Sequence, residues 1–367
     1  MNPSVSIIMP IYQVERFLEA SLHSARHQTL ENIEIICVDD GSTDNCPAIL
    51  DEATRQDKRV RVIHNSNHGY GYSINCGFKA AKGEYLAILE PDDLMPLNAL
   101  KVLFDLANEN NADLVKGDYC EMYQSEQSIK LVPALIHWDE TIYNRLFSIN
   151  QRPDVLVSQI INCTGIFKRS LIEKNNILLS ETPGASYQDV GLFFQLFLYA
   201  KRVYFTHECT YYYRSDNPNA STKNKGKLYM AENEYIKAQD LIRHINYNDK
   251  IYSASWAARW RGILGTVARI DESLYTEFFD YLDPIVSDAL SKGNIRREFC
   301  NSYQWELLTR YQKGRNSFVE AVRKANGTHG NMIRLFWRFK NDGIIKTVRF
   351  IIGKSKRKPQ VMKEDGQ

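Results

Sequence analysis

The sequence predicts an α/β protein: a mainly parallel sheet with helices on both faces, followed by a helical C-terminal region. Three observations predict it. Within the first 120 residues, short β-branched apolar runs alternate with segments of helical spacing, the rhythm of successive βα units. Two of those runs stop at acidic clusters, Asp39-Asp40 and Glu90-Pro91-Asp92-Asp93. The composition, 44% hydrophobic and 25% charged over 367 residues, suits a folded chain with a sizeable core and argues against wholesale disorder.

The elements follow in order. Residues 5–9 are an apolar first strand closed by Pro10. Residues 17–28 have helical spacing, with Leu18, Leu22 and Ala25 on one face. Residues 33–38 form a second strand, stopped by the turn and cap residues of Asp39-Asp40-Gly41-Ser42-Thr43-Asp44. A helix at 47–56, a strand at 60–64, a helix at 70–81, a strand at 85–89 and a helix at 98–108 complete this half. Residues 120–220 are less regular, with short strands at 114–116, 165–167, 203–205 and 210–213 and a helix near 189–199. Residues 225–325 read as largely helical. The expected organisation is a domain at 1–220, with halves 1–120 and 121–220, then a helical region at 221–328 and a basic tail at 329–367.

Charge and cysteine usage narrow the setting. The net charge is only +2, but residues 331–360 carry nine basic residues against the single acid Asp342, a local charge of +8. Ile333, Phe336, Trp337, Phe339 and Phe350 interleave with these charges. That mixture fits an amphipathic segment lying on an anionic membrane surface; a basic helix packed on an acidic body, or a loose end, would read the same way. The seven cysteines are widely spaced with no CxxC pair, neither a disulfide framework nor a zinc site, and suit a reducing compartment. No secretory leader or membrane-spanning run is recognised. The expected location is cytoplasmic, with the tail peripheral on the inner face of the membrane. Nucleic acid is not an expected partner.

Parallel α/β sheets bind ligands at the carboxyl ends of their strands, where both acidic clusters are expected. Asp92 and Asp93 repel one another unless a cation lies near. Hard oxygen ligands suit Mg²⁺ or Mn²⁺, which share their shell with substrate phosphates. The same pair could simply start a helix. Asp39 and Asp40 could accept hydrogen bonds from a base or ribose, or serve only as turn and cap residues. Asp189 could be a base, or an acid placed at a helix start by the dipole.

Taken together the motifs are more specific. Ser6-Ile7-Ile8-Met9-Pro10-Ile11-Tyr12, Val38-Asp39-Asp40-Gly41-Ser42-Thr43-Asp44, Asn67-x-Gly69, Asn75-x-Gly77, Gly83-Glu84-Tyr85 and Leu89-x-x-Asp92-Asp93 occur in this order. The series resembles the family 2 glycosyltransferases, an inverting family with the GT-A fold. The resemblance is strong over the first quarter of the chain and weaker to about Arg214. It implies that Pro10, Tyr12 and Glu15 flank the base and ribose of a nucleotide-sugar, with Asp39, Asp40 and Gly41 shaping the same pocket. Asn67 lies beside the donor, and Asp92 with Asp93 holds the metal against the diphosphate. Asp189 is implied as the catalytic base, with Gln188 and Arg214 toward the acceptor or diphosphate. UDP is the expected nucleotide, and the acceptor a saccharide or lipid-linked saccharide in bacterial polysaccharide synthesis.

Three departures from the family pattern stand out: Gln13 for a common Asn, Glu90 for the first Asp of the metal motif, and Gln188 for a common Glu. None removes the implied essential carboxylates. Trp256-Ala257-Ala258-Arg259-Trp260 is similar to a motif of processive members but lacks its Gln, so it reads as helix core and one sugar is expected per encounter. Rival readings fare worse. A haloacid-dehalogenase-type phosphatase needs Asp-x-Asp where this chain has Asp39-Asp40-Gly41. A dinucleotide oxidoreductase needs a glycine fingerprint after the first strand, where Pro10-Ile11-Tyr12 stands. A non-catalytic nucleotide-sugar- or saccharide-binding scaffold of the same fold is the remaining alternative.

Overall fold

A computed structural model describes residues 2–125, 128–185, 187–217, 228–245, 247–326, 330–355 and 359–363, with 343–355 and 362–363 described in backbone only. Ser186, Asn219-Ala220-Ser221 and Lys356-Arg357-Lys358 lie outside the described residues. The chain divides into two units, residues 1–219 with 359–367, and residues 220–358.

The first unit is built on one mixed sheet. Strands β1 (Val5–Ile11), β2 (Ile33–Asp39), β3 (Val60–His64) and β4 (Tyr85–Ile88) are parallel and lie in the order β3-β2-β1-β4. Helices α1 (Glu15–Arg26), α2 (Cys46–Gln56) and α3 (Tyr70–Ala80) connect them. Every residue of β1 and β2 is buried, which is why their sequences are continuous apolar runs rather than alternating ones. After α4 (Ala99–Glu109), strand β5 (Leu114–Gln124) forms a hairpin with β6 (Ser128–Ala134), and a short β7 (Leu146–Phe147) follows. Strand β8 (Gly165–Lys168) runs antiparallel between β4 and β5. Then come α5 (Arg169–Asn175), α6 (Gln188–Tyr199) and β9 (Val203–Arg214), which pairs with β5 in parallel and with β7 antiparallel.

The parallel arrangement expected from the sequence holds for β1–β4 and for the β5–β9 pair, while β6, β7 and β8 pair antiparallel. Two strands expected near 203–205 and 210–213 are one strand. The register against β5 shifts between Gly117 and Asp118 and again between Asp118 and Tyr119. This bulge absorbs the polar His207-Glu208 that interrupts the apolar pattern. Strand β5 likewise continues well past residue 116, because its second half pairs with β6, whose Lys130 and Pro133 conceal it.

The second unit contains helices α7 (Met230–His244), α8 (Asp249–Val267), α9 (Tyr275–Ser291), α10 (Ser302–Lys313), α11 (Arg315–Asn326) and α12 (Gly330–Ser355). Trp256 and Trp260 are both buried. Trp260 Nε1 donates to the Gln304 carbonyl at 3.0 Å, and Arg259 makes a buried ion pair with Glu232 at 2.8 Å. On α12, Trp337 is buried and stacks on Tyr303, Lys340 pairs with Glu306 at 3.0 Å, and Asp342 pairs with Arg297 at 2.7 Å. Met332, Phe336 and Phe339 on the same helix are 69%, 63% and 48% exposed. The chain then returns to the first unit, where β10 (Gln360–Lys363) pairs antiparallel with β6. None of the described helices is long and apolar enough to cross a membrane.

Lys116 is a cost inside this core. It is 2% exposed on β5, and its Nζ donates to the Ile161 carbonyl at 2.5 Å. Burial lowers its pKa to about 8. Between that value and the ordinary lysine range the folded state binds fewer protons than the unfolded one, so the fold gains stability as pH rises through the window. Lys116→Met is expected to stabilise the protein at pH 7 by roughly 1–3 kcal/mol and to abolish the gain between pH 8 and 10; urea melts at the two pH values measure both.

Candidate active site

The carboxylates gather at the carboxyl edge of the parallel strands. β1 lies between β2 and β4, so the segments following those two strands emerge on either side of the end of β1. Ile11 pairs with Asp39, and the Asp40 N–H donates to the Ile11 carbonyl at 2.8 Å. On the other side the Leu89 N–H donates to the Ile8 carbonyl at 3.0 Å and leads residues 90–93 to the same edge. The two acidic clusters thus flank one strand end, the place where open α/β sheets hold ligands.

The β2 side is organised by backbone hydrogen bonds. Asp40 is buried, and its two carboxylate oxygens accept the His68 and Gly69 N–H groups at 2.9 and 2.8 Å. It holds down the loop that leads into α3. Two glycines permit the approach. Gly41 has φ +76°, and a Cβ there would lie 3.0 Å from the Asn67 nitrogen; Gly69 has φ +96°, and a Cβ would lie 2.7 Å from the Thr182 carbonyl. Asp39 is also buried, with Oδ1 accepting the Ser42 N–H at 3.0 Å and Oδ2 2.9 Å from His64 Nδ1. Pro10 is buried, whereas Tyr12 is 48% exposed and offers an aromatic face beside it. Glu15 accepts the Asn45 N–H at 2.8 Å and its own N–H donates to Asp44, a reciprocal tie between the starts of α1 and α2. Asn67 is exposed.

The β4 side is electrostatically crowded. Glu90 Oε1 accepts the Tyr70 hydroxyl at 2.7 Å, and the Glu90 N–H donates to the Tyr211 hydroxyl oxygen at 3.1 Å. Burial pushes the Glu90 carboxyl up to about 8; the Tyr70 bond opposes the shift, and the charges of Asp92 and Asp189 add to it. Asp92 is half-buried, its Oδ2 accepting from Asn217 Nδ2 at 2.7 Å. Asp93 is buried, with Oδ1 accepting the Arg214 N–H at 2.6 Å and Oδ2 without a hydrogen-bond partner. Burial and the neighbouring Asp92 raise its pKa well above the usual carboxylate range, against the pull of the Arg214 N–H and the nearby Tyr211. Arg214 is buried too. Its Nε donates to the Asp92 carbonyl at 2.7 Å, its Nη1 to Gln124 at 2.9 Å, and its guanidinium lies 4.6 Å from the Phe17 ring centroid. These contacts engage the guanidinium with the protein.

Asp189 reaches this cluster from α6. Tyr187, just before the helix, adopts a left-handed φ of 65°, uncommon for a bulky residue. Gln188 Nε2 donates to Thr182 Oγ1 at 2.8 Å and to the Gly184 carbonyl at 3.0 Å, and Asn162 Nδ2 donates to the Asp189 carbonyl at 2.8 Å. The Asp189 charge acts on both Glu90 and Tyr70. The structure therefore brings Asp92 and Asp189, far apart in sequence, into one neighbourhood. Gln188, implied on the acceptor side, is buried and bonded to its own loop.

Among the described residues no group of three or more His, Cys, Asp and Glu side chains is arranged to hold a metal ion. A Mg²⁺ or Mn²⁺ ion needs only one or two carboxylates when substrate phosphates complete its shell. The unpartnered buried oxygen of Asp93 beside the half-buried Asp92 fits that chemistry, since a divalent ion nearby would favour the ionised form of both.

Sequence reasoning passed over Asn162 and Asn217, and gave Tyr70, at the start of a helix beside the donor, and Tyr211, in the run Tyr211-Tyr212-Tyr213-Arg214, no role of their own. Tyr70 had a signal in its place directly after Gly69 at a helix start. The other three sit in irregular or late segments, and no local pattern points from them to the acidic loop.

A sheet edge that collects carboxylates from strand ends and a helix start, on a mixed sheet flanked by helices, is the GT-A architecture of nucleotide-sugar transferases, and this chain is a glycosyltransferase. It belongs to glycosyl transferase family 2, whose family profile matches residues 6–174. It is 32% identical over 250 residues to the uncharacterized glycosyltransferase EpsJ of Bacillus subtilis (strain 168), covering 67% of this chain and 71% of that protein. It is 30% identical over 247 residues to glycosyltransferase GlyG of Streptococcus pneumoniae serotype 4, covering 66% of this chain and 78% of GlyG. Among solved structures it is similar to S. aureus TarS 1–349 in complex with UDP-GlcNAc, with a TM-score of 0.66, 16% identity, and coverage of 93% of this chain and 92% of that one. At that identity the likeness is one of fold.

Asp40→Ala leaves the His68 and Gly69 N–H groups without their charged acceptor. The substitution is expected to cost roughly 2–4 kcal/mol of folding stability, two charge-assisted bonds' worth; urea denaturation of the full chain measures it.

Proposed function

We propose that the chain is an inverting, divalent-metal-dependent transferase. It moves a hexosyl or N-acetylhexosaminyl group from a UDP-sugar to a hydroxyl of a saccharide or lipid-linked saccharide, one sugar per encounter, in cell-surface polysaccharide synthesis. The observation that carries this reading is the shared neighbourhood of Glu90, Asp92 and Asp189 at the end of β4. It supplies a candidate base and a candidate metal carboxylate at one strand end. The TarS structure, which holds UDP-GlcNAc, supports the choice of donor class by fold alone.

The residues divide the work as follows. Tyr12 stacks on the base, and the Asp39–Asp40 turn frames base and ribose. Asp92, with Asp93 behind it, would hold Mg²⁺ or Mn²⁺, which as a Lewis acid lowers the cost of negative charge on the departing diphosphate. Asp189 accepts the proton of the acceptor hydroxyl as that oxygen bonds to the anomeric carbon and the bond to the diphosphate breaks. A single displacement inverts the centre and needs one base and no covalent intermediate. Asp189 lies in the first turn of α6, and Asn162 holds its backbone carbonyl.

Asp189→Asn is expected to lower kcat by about 10²–10⁴-fold while UDP binding in the presence of Mn²⁺ changes by less than about threefold. UDP release from UDP-sugars and calorimetry with UDP read the two separately. Wild-type turnover in this variant would remove Asp189 as the base.

The basic tail extends the reading to a peripheral place on the inner face of the cell membrane. The exposed Met332, Phe336 and Phe339 recur four and three residues apart on α12, within the segment that carries the excess of +8. Anionic lipid attracts such charge at about 1 kcal/mol per residue near the surface. Full-length protein is expected to float with vesicles containing phosphatidylglycerol, and a Met332→Ser/Phe336→Ser/Phe339→Ser variant to stay in the dense fraction. Equal flotation of the two proteins, or of neither, would exclude this face as the anchor.

A further inference from the structure

Tyr70 stands where three separate parts of the site meet. Its hydroxyl donates to Glu90 Oε1 at 2.7 Å, on the acidic loop after β4. Its backbone N–H donates to the Gly184 carbonyl at 3.3 Å, and that same carbonyl accepts from the side chain of Gln188, the residue before Asp189. Directly upstream, the Gly69 N–H is held by Asp40. One residue thus ties the nucleotide side, the metal loop and the loop of the base together.

We propose that Tyr70 is a positioning residue for sugar transfer, its hydroxyl fixing where the Glu90 carboxyl sits relative to Asp92 and Asp189. The proposal rests on the roles given above to Asp92 and Asp189. Its physical basis is that three acidic groups share one neighbourhood, so a Glu90 free to rotate would change the field on both the base and the metal carboxylate. A buried carboxyl also loses heavily when its one strong side-chain donor is removed. The bond fixes direction as well as distance, because Tyr70 is itself fixed through its backbone to Gly184. A phenylalanine keeps the ring, the helix start and the backbone bond, and removes only the tie to Glu90. A mere structural role, fastening α3 to the strand end, would show as lost stability with normal turnover in the protein that remains folded.

The test compares wild type, Tyr70→Phe, Glu90→Ala and the double variant in the full chain. Turnover is followed as UDP release with Mn²⁺ from whichever of UDP-glucose, UDP-galactose, UDP-GlcNAc and UDP-GalNAc the wild type uses fastest. Binding is followed by calorimetry with UDP and Mn²⁺, and stability by thermal unfolding. Tyr70→Phe is expected to lower kcat about 3- to 10-fold, the value of one hydrogen bond to a neutral group. The donor KM should stay within threefold and UDP binding should be retained. In the Glu90→Ala background, where the acceptor is gone, the same change should cost less than twofold, since coupled residues are not additive. Where Glu90→Ala turns over too slowly to score, the kcat of Tyr70→Phe alone decides. Wild-type kcat in Tyr70→Phe, a rise in KM alone, or an equal loss in both backgrounds would overturn the proposal. Full turnover in Asp189→Asn with loss in Tyr70→Phe would sink the base assignment and spare Tyr70, so the two failures are told apart.

Discussion

The constraint on which this site depends is the mutual repulsion of carboxylates collected at one strand end. Glu90, Asp92 and Asp93 follow one another within four residues, and Asp189 adds its charge from another helix. The protein answers each group differently. Glu90 is held up to about 8 and given the Tyr70 hydroxyl. Asp93 is buried against the Arg214 backbone, and Asp92 keeps partial exposure with Asn217 on one oxygen. What remains unbalanced is the free oxygen of Asp93. A buried acceptor without a donor is costly, and such residual strain is more often found at functional sites than in scaffolds. A cation delivered together with a diphosphate would relieve it only when the donor is present.

Organisation on the opposite side of β1 is almost entirely a matter of backbone. Asp40 spends both oxygens on N–H groups of the loop before α3, so this acid is a structural brace. The loop can approach because Gly41 and Gly69 adopt positive φ with no room for a Cβ. Asp39 carries a second layer, with Ser42 and His64 on its two oxygens. Any hydrogen bond to a nucleotide must be added to these or exchanged for one of them. The exposed aromatic face of Tyr12, by contrast, would take a base in stacking without displacing a bond.

The first four strands and three helices were legible in the sequence because their periodicity is uninterrupted and buried strands read as apolar runs. Asp39, Asp40 and Asp92 were legible as candidates because strand ends in such sheets are where ligands sit. The antiparallel half was not. β6 carries Lys130 and a proline, and β9 hides a bulge beneath His207-Glu208, so neither shows a clean alternation. Roles within the acidic motif were equally hidden: spacing alone cannot separate Asp92, with accessible surface, from Asp93, which faces the Arg214 backbone. The β10 return to the edge of β6 depends on pairing across more than two hundred residues, which no local pattern records.

Arg214 shows how a cation beside an acidic motif can also hold the loop that carries the motif. A cation near an acidic motif reads as a diphosphate ligand. Here the guanidinium is spread over the Asp92 carbonyl, Gln124 and the ring of Phe17, and its own N–H grips Asp93. Planar, delocalised and permanently charged, arginine can make all these contacts at once, and lysine cannot. Its guanidinium is paired with Asp216, 3.6 Å away. The residue therefore fixes the loop that presents Asp92, through the Asp92 carbonyl on one side and the Asp93 carboxylate on its backbone N–H. The first acid of the motif is left to a different partner: the Glu90 side chain, one methylene longer than an aspartate, reaches the Tyr70 hydroxyl.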